Sequence, residues 1–485
     1  MMRLFTALYL VLMGLPLHAQ NITELDRYLQ AVVKEGFGSE IAQTQHAQAE
    51  SDFKVFRSSM RPQLRLNANL PTYSRTSTSV VQPNGSIAFQ PLNQNLASVT
   101  VSATQPILLT GGTLFVEAGL DRFDDFGRRF TQYNGVPVRI GYTQSLVGFN
   151  ALKWDRRMAT RQRGWAAQQH DVAINAVQRE AANRYFNVLI ARMNQRLAQS
   201  NREINAKLLR LAEERLALGK ISLEEKLQME SELKWAQLLA AQAAKEVEQT
   251  TLAMGELLKG KLTVDSTLRT PSVLGFDLPP LDVLVQLAVQ NAPEVQSSEL
   301  ELAIRERDAA ERRAQSGVNV QVYAATGLVQ SGNQVSDIYQ APFNEQQIQA
   351  GVSIPLIDWG TRSGVKSSTQ ARVQQARLTL DQQRKAAEIA VKRAYLDIRE
   401  IGARMALHEE LLALAEERAN ISTERYTSGK LALTEWVLTQ RNRDQMQRDY
   451  LISLRDLYLA YFELRLLTGY DIRAQRNQHP NHNNR

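Results

Sequence analysis

Residues able to do covalent or metal chemistry are few in this chain. It has six histidines and no cysteine. Disulfides, thiolate metal sites and thiol nucleophiles are therefore excluded. No histidines form a metal-binding helical pair, and His479 and His482 fall in the polar stretch 478–485, which reads as a disordered tail. There is no glycine-rich phosphate loop and no nucleophile elbow. No metal, cofactor or catalytic residue is expected, so the chain does not read as an enzyme. What remains is charge placed at two matching turns. Arg215-Leu216-Ala217-Leu218-Gly219-Lys220 leads to Leu223 and Glu225, and Arg425-Tyr426-Thr427-Ser428-Gly429-Lys430 leads to Leu433 and Glu435. Gly219 and Gly429 suit a helix C-cap, where glycine takes a left-handed backbone freely.

The turns match because the chain is duplicated. Residues 214–225 align with 424–435, Tyr185-Phe186 with Tyr395-Leu396, and Gly141, Leu146, Val147 and Phe149 with Gly351, Leu356, Ile357 and Trp359, all offset by 210 positions. Upstream, Leu25-Asp26 pairs with Leu281-Asp282 and Leu64 with Val320, offset by 256. The first copy thus carries 46 extra residues between positions 64 and 141. Each copy reads helix, strand, connection, strand, very long helix, tight turn, helix.

The strand segments alternate. Leu64, Leu66, Ala68 and Leu70 share one face, as do Val136, Val138, Ile140 and Tyr142; Val318, Val320, Val322 and Ala324; and Ile348, Ala350, Val352 and Ile354. That pattern fits a lipid-facing barrel strand and equally a half-buried strand of a soluble sheet. The helices favour the first reading. From Gly148 to Leu218, and from Thr361 to Thr427, there is no proline. A helix of about 70 residues extends ~105 Å and needs partners along its length.

Residues 1–19 read as a signal peptide: Arg3, then the apolar run Leu4 to Leu15, then Ala19 before the expected cleavage. No later apolar run is long enough for a spanning helix, so entry into a membrane would require a closed β-barrel. Two hairpins cannot close a barrel with an open lumen, so several chains must contribute. The net charge of +7 is spread among 57 basic and 50 acidic residues, which argues against a nucleic-acid surface.

Across about 22–472 the chain resembles the TolC-like outer-membrane efflux protein family. The resemblance rests on Glu180-Ala181-Ala182-Asn183-Arg184-Tyr185-Phe186-Asn187-Val188-Leu189, on the paired Arg-x-x-x-Gly-Lys turns, on Gly351-Val352-Ser353-Ile354-Pro355-Leu356 and on Asn291-Ala292-Pro293-Glu294. It implies mixed α and β structure: a homotrimer whose 12-stranded transmembrane β-barrel continues as a long periplasmic α-helical barrel, with a mixed equatorial region. It also implies a channel that works with a periplasmic adaptor and an inner-membrane transporter, in contact with outer-membrane lipid. In the family the tips form the periplasmic entrance and dock the adaptor. Here those are Arg215, Gly219, Lys220, Leu223, Arg425, Gly429, Lys430 and Leu433. Glu225 and Glu435 occupy the acidic positions of a pore ring, and Tyr426 that of a tyrosine tying helices at the closed entrance, with Glu225 as its expected partner. The family's second acidic position is Leu438 and its tip arginine Leu431, so the gate is chemically simpler.

The expected organisation is a signal peptide at 1–19 and a first repeat at 20–260, with strands about 62–70 and 136–147, an enlarged connection 71–135 and a tip at 215–225. An equatorial linker at 261–280 follows, then a second repeat at 281–472 with strands about 318–326 and 347–357 and a tip at 425–435, and a disordered tail at 473–485. The 46 extra residues allow further strands or an extracellular cap. Phe149 and Trp359 read either as membrane-interface anchors or as packing at the strand-to-helix transition. Glu225 and Glu435 read either as a charge ring or as solvated helix faces. An exported coiled-coil structural protein of the envelope is the alternative to a channel exporting small molecules or polypeptides.

Overall fold

The two halves of the chain hold long helices of equal length but unequal numbers of strands. The computed structural model describes residues 24–146, 148–260, 268–273, 278–428, 430–471 and 476–477, with the side chains of Leu70, Leu433, Arg476 and Asn477 left aside. The expected signal peptide, Val147, Gly429 and most of the expected linker lie outside the described residues. The first half runs α1 (Glu24–Glu35), α2 (Phe37–Ser59), β1 (Gln63–Val81), β2 (Ile87–Ile107), β3 (Gly112–Asp125), β4 (Phe130–Ser145), α3 (Ala151–Ala217) and α4 (Leu223–Glu256). The second runs α5 (Leu281–Asn291), α6 (Pro293–Gln315), β5 (Asn319–Gly332), a short 3-10 turn (Val335–Tyr339), β6 (Phe343–Ser353), α7 (Thr361–Thr427) and α8 (Leu433–Thr468). Helices α3 and α7 are each 67 residues long. At 1.5 Å per residue each extends ~100 Å. No proline interrupts either, as the sequence requires.

The chain divides into two compact units. One comprises residues 41–173, 278–395 and 464–485 and contains the sheet; the other comprises 1–40, 174–277 and 396–463 and contains both tips. Helices α3 and α7 contribute to both.

In the sheet-bearing unit β1 to β6 form one antiparallel meander in the order β1-β2-β3-β4-β5-β6. This corrects the expectation of four strands per chain, on which the twelve-stranded barrel rested. Residues 71–135, expected as an enlarged connection, complete β1, form β2 and β3 and begin β4. The extra hairpin pairs on both sides, β2 with β1 and β3 with β4, so it is part of the sheet. Residues 354–357, expected at the end of the last strand, lie beyond β6. A bulge in β4 also breaks the expected face of Val136, Val138, Ile140 and Tyr142: Arg139 pairs with Glu117 but Val136 with Gly119, one residue out of step.

Four helical segments accompany this sheet. Arg163 of α3 reaches Glu50 of α2 at 2.6 Å, and Arg307 of α6 reaches Asp155 of α3 at 3.1 Å. Arg384 of α7 reaches Glu299 of α6 at 2.8 Å. Ala292, Val295, Leu380 and Ala387 form a buried apolar cluster joined by Leu302. The helices are therefore ordered α2-α3-α6-α7. At the C-terminal end of the chain, part of the expected tail is structured: Arg476–Asn477 pairs with Tyr470–Asp471.

The tip-bearing unit has an aromatic core. Tyr185, Phe186, Tyr458, Tyr461 and Leu25 are buried, as are Ala181, Ala182 and Val188. The family-like stretch 180–189 is thus largely core. Buried phenols donate to backbone: Tyr28 to Met254 O at 2.9 Å, Tyr185 to Arg269 O at 2.7 Å and Tyr458 to Ser272 O at 3.2 Å. Burial pushes the Tyr28 and Tyr185 hydroxyls well above the ordinary tyrosine range. The last two bonds hold residues 268–273, part of the expected linker, against α3 and α8.

Candidate functional site: two helical tips and a two-faced sheet

The first tip closes by backbone geometry. Gly219 adopts φ 67°. Lys220 N donates to Arg215 O at 2.9 Å and Gly219 N to Leu216 O at 2.9 Å, which satisfies the last carbonyls of α3. Helix α4 then starts with a capping box. Ser222 Oγ accepts from Glu225 N at 3.2 Å, and Glu225 Oε2 accepts from Ser222 N at 2.8 Å. The Glu225 carboxylate is therefore occupied in capping. The second tip repeats the turn, with Lys430 N donating to Arg425 O at 2.8 Å. It lacks the box, because Ala432 stands where Ser222 does and Glu435 has no side chain to answer. Arg215, Lys220, Arg425, Lys430, Leu223, Glu225 and Glu435 are all exposed.

Tyr426 is held within its own hairpin. It stacks on Trp436 with ring centroids 5.0 Å apart and planes 17° apart. Trp436 Nε1 donates to Thr423 Oγ1 at 3.1 Å, and Gln440 Nε2 donates to the same oxygen at 3.0 Å. The expected pairing of Tyr426 with Glu225 is not what the described contacts contain: each is engaged in its own tip. The first tip fastens the equivalent positions ionically. Lys226 donates to Glu230 at 2.5 Å, and that hydrogen bond, with the charges of Glu230 and Glu213, raises the lysine pKa.

The sheet separates its two faces. Residues paired across strands project to the same side. On one side Leu64, Leu66 and Ala68 oppose Ala103, Val101 and Val99, which oppose Val116, Ala118 and Leu120. Val116 opposes Ile140, and Val138 opposes Leu328. Ala324, Val322 and Val320 oppose Ile348, Ala350 and Val352. This apolar face is exposed at both edges, with Leu64 75% and Ile348 84% accessible. On the other side one row runs Arg65, Ser102, Glu117, Arg139, Gly327, Glu345. Arg139 donates to Glu117 at 3.0 Å and to Glu345 at 2.6 Å.

The two expected interface residues part company. Phe149 stacks on Trp154 at 6.3 Å, as packing at the transition would have it. Trp359 is 93% exposed beside exposed Leu356 and Ile357, and it takes a left-handed φ of 52°. Among the described residues no helix is long and apolar enough to cross a membrane, and no group of His, Asp and Glu is placed to hold a metal.

Sequence reasoning missed one feature. His46 of α2 and His170 of α3 face each other at 5.4 Å in a groove of about 620 Å³. Phe53, Asp155, Trp165 and Arg307 also line it. The histidines stand far apart in the chain, and only helix pairing brings them together.

The family described as outer membrane efflux protein matches residues 284–470. That stretch runs from α5 through α6, β5, β6, α7 and the second tip to the end of α8. The TolC-like resemblance of the sequence is thereby shown, and the family is one of channel-type proteins. The fold agrees over nearly the whole chain. The Campylobacter jejuni CmeC outer membrane channel aligns with TM-score 0.62 at 14% identity, covering 94% of this chain and 87% of that one. The outer membrane protein VceC of Vibrio cholerae aligns with TM-score 0.62 at 14% identity, covering 92% and 96%. The open-state MtrE outer membrane channel of Neisseria gonorrhoeae aligns with TM-score 0.55 at 14% identity, covering 94% and 91%. No curated protein sequence matches the chain.

Proposed function

We propose that the chain is one subunit of an outer-membrane channel, the exit duct of a tripartite efflux pump or type I secretion system. The observation that carries this reading is the six-stranded sheet with an apolar face running to two unpaired edges. In water such edges invite aggregation, and in lipid they must be paired. Barrel closure by further copies satisfies both, and a homotrimer is the assembly the resemblance implies. An envelope coiled-coil protein gives no reason for so large an exposed apolar sheet face.

The polar face then lines a lumen and the apolar face meets outer-membrane lipid. The protein is exported by residues 1–19 and extends into the periplasm. Its tips, with Arg215, Lys220, Leu223, Arg425, Lys430 and Leu433 and the glycines Gly219 and Gly429, dock a periplasmic adaptor that links the duct to an inner-membrane transporter. Glu435 supplies the main charge of the entrance ring, because Glu225 also serves as a cap. Tyr426, braced by Trp436, sets the width of the second tip. Cargo moves passively, and the pump selects it.

Membrane fractionation tests this reading. The protein should sediment with outer membranes, resist carbonate and need detergent for release. Recovery as a monodisperse single subunit without detergent would overturn it.

A further inference from the structure

The duplication of the chain accounts for four strands, yet the sheet has six. We propose that three copies close edge to edge, β6 of one against β1 of the next, into an eighteen-stranded barrel as wide as the helical tube it continues. This rests on the channel reading and its three copies; the strand number and the width are the new claims.

The sheet supplies its own tilt. The hydrogen-bonded row that starts at Leu64 passes through Ala103, Val116, Ile140 and Thr326 to Gln346. On β6, however, the apolar band begins at Val352, six residues nearer the helices. Six residues of ~3.3 Å over five strand spacings of ~4.8 Å give a tilt of ~40°, within the range of membrane barrels.

At that tilt each strand occupies ~6 Å of circumference, so six strands occupy ~38 Å and four only ~25 Å. The helical layer of the same unit, α2-α3-α6-α7, occupies ~32–40 Å at ordinary interaxial distances. Six strands therefore match four helices, whereas four strands would leave a narrower neck. Three copies give a barrel ~36 Å across between backbones, in the class of barrels with an aqueous channel.

The extra hairpin is built as wall. Val99, Val101 and Ala103 of β2 and Val116, Ala118 and Leu120 of β3 continue the apolar face without a gap. On the polar face Glu117 of β3 is ion-paired to Arg139 of β4 at 3.0 Å. A cap folded away from the barrel would have no use for either.

Two measurements on the full-length mature protein in lipid nanodiscs test the proposal. Electron cryomicroscopy along the pore axis should show three-fold particles with a barrel ~1.5 times as wide as a twelve-stranded one. A three-fold particle with a ~24 Å barrel, the β2–β3 hairpin outside the wall, would overturn it, as would a two-fold particle. Because the chain has no cysteine, introduced ones report the seam directly. The apolar bands place Asn67 of β1 level with 349–353 of β6. Asn67→Cys combined in turn with Gln349→Cys, Gly351→Cys or Ser353→Cys should give, for at least one pair, a dimer-and-trimer ladder on oxidation. A crosslink only within one chain, or none from any pair, would overturn the seam. Failure to enter nanodiscs at all would instead remove the channel reading beneath it.

Discussion

Arg139 of β4 reaches across β5 to donate to Glu345 of β6, 2.6 Å away, and Gly327 of β5 is what lets it pass. A Cβ on Gly327 would sit 2.6 Å from Val138 O and 2.8 Å from Arg139 Cα. With Glu117 on the other side, one guanidinium joins three of the six strands and cancels half of the acidic charge it touches.

Removing that guanidinium should change both stability and selectivity. Arg139→Gln leaves two half-buried carboxylates on the polar face without their partner. We expect a loss of about 1–3 kcal/mol in unfolding free energy and a reversal potential shifted toward cation preference. Unchanged ion selectivity with a normal assembly would show that this row does not face the conducting path.

At the tips, the structure separates two glutamates that the duplication equates. Glu225 closes a capping box and Glu435 does not. Glu435→Gln should therefore account for most of any loss of cation selectivity, and Glu225→Gln for little. Ser222→Ala should destabilise the first tip by about 1 kcal/mol without altering selectivity. Equal effects of the two glutamine variants on selectivity would contradict this division.

Much of this architecture is legible in the sequence, and the failures have physical causes. The 67-residue helices follow from proline-free stretches, and the end of the first from the glycine turn at 219. The stretch 180–189 reads as important and turns out to be core. The β2–β3 hairpin is harder to read, because Pro91, Asn93, Asn95 and Pro106 interrupt the alternation of β2 and no second copy exists to guide the eye. The brace of Tyr426 on Trp436 spans a turn, and the His46–His170 pair spans two helices. Local periodicity carries no signal for either.

The exposed loop before α7 gives a spectroscopic prediction. Trp359 stands in solvent at a left-handed backbone position, with Leu356 and Ile357 beside it. In lipid it should lie at the membrane interface. The fluorescence lost on Trp359→Phe substitution should be strongly quenched by brominated lipids in the wild type. A Trp359 signal insensitive to brominated lipid would place this loop away from the bilayer.

Acid should act on a surface cluster of α7. Hydrogen bonds from Lys392 and then Lys385 lower the Glu388 pKa to about 2. The stabilisation is thus fully present above the ordinary carboxylate pKa, ~4.3, and is lost as pH falls from there through the folded value. The wild type should melt slightly above Glu388→Gln at pH 7, and the gap should close on acidification. A gap that widens in acid would show that the cluster does not act in this way.

One recording tests the channel most directly. Purified mature protein added to a planar lipid bilayer should insert in discrete steps, each a long-lived aqueous conductance with cation preference. Preparations that are folded and assembled yet leave the bilayer silent, or that only lie on its surface, would contradict the claim that this sheet closes into a channel.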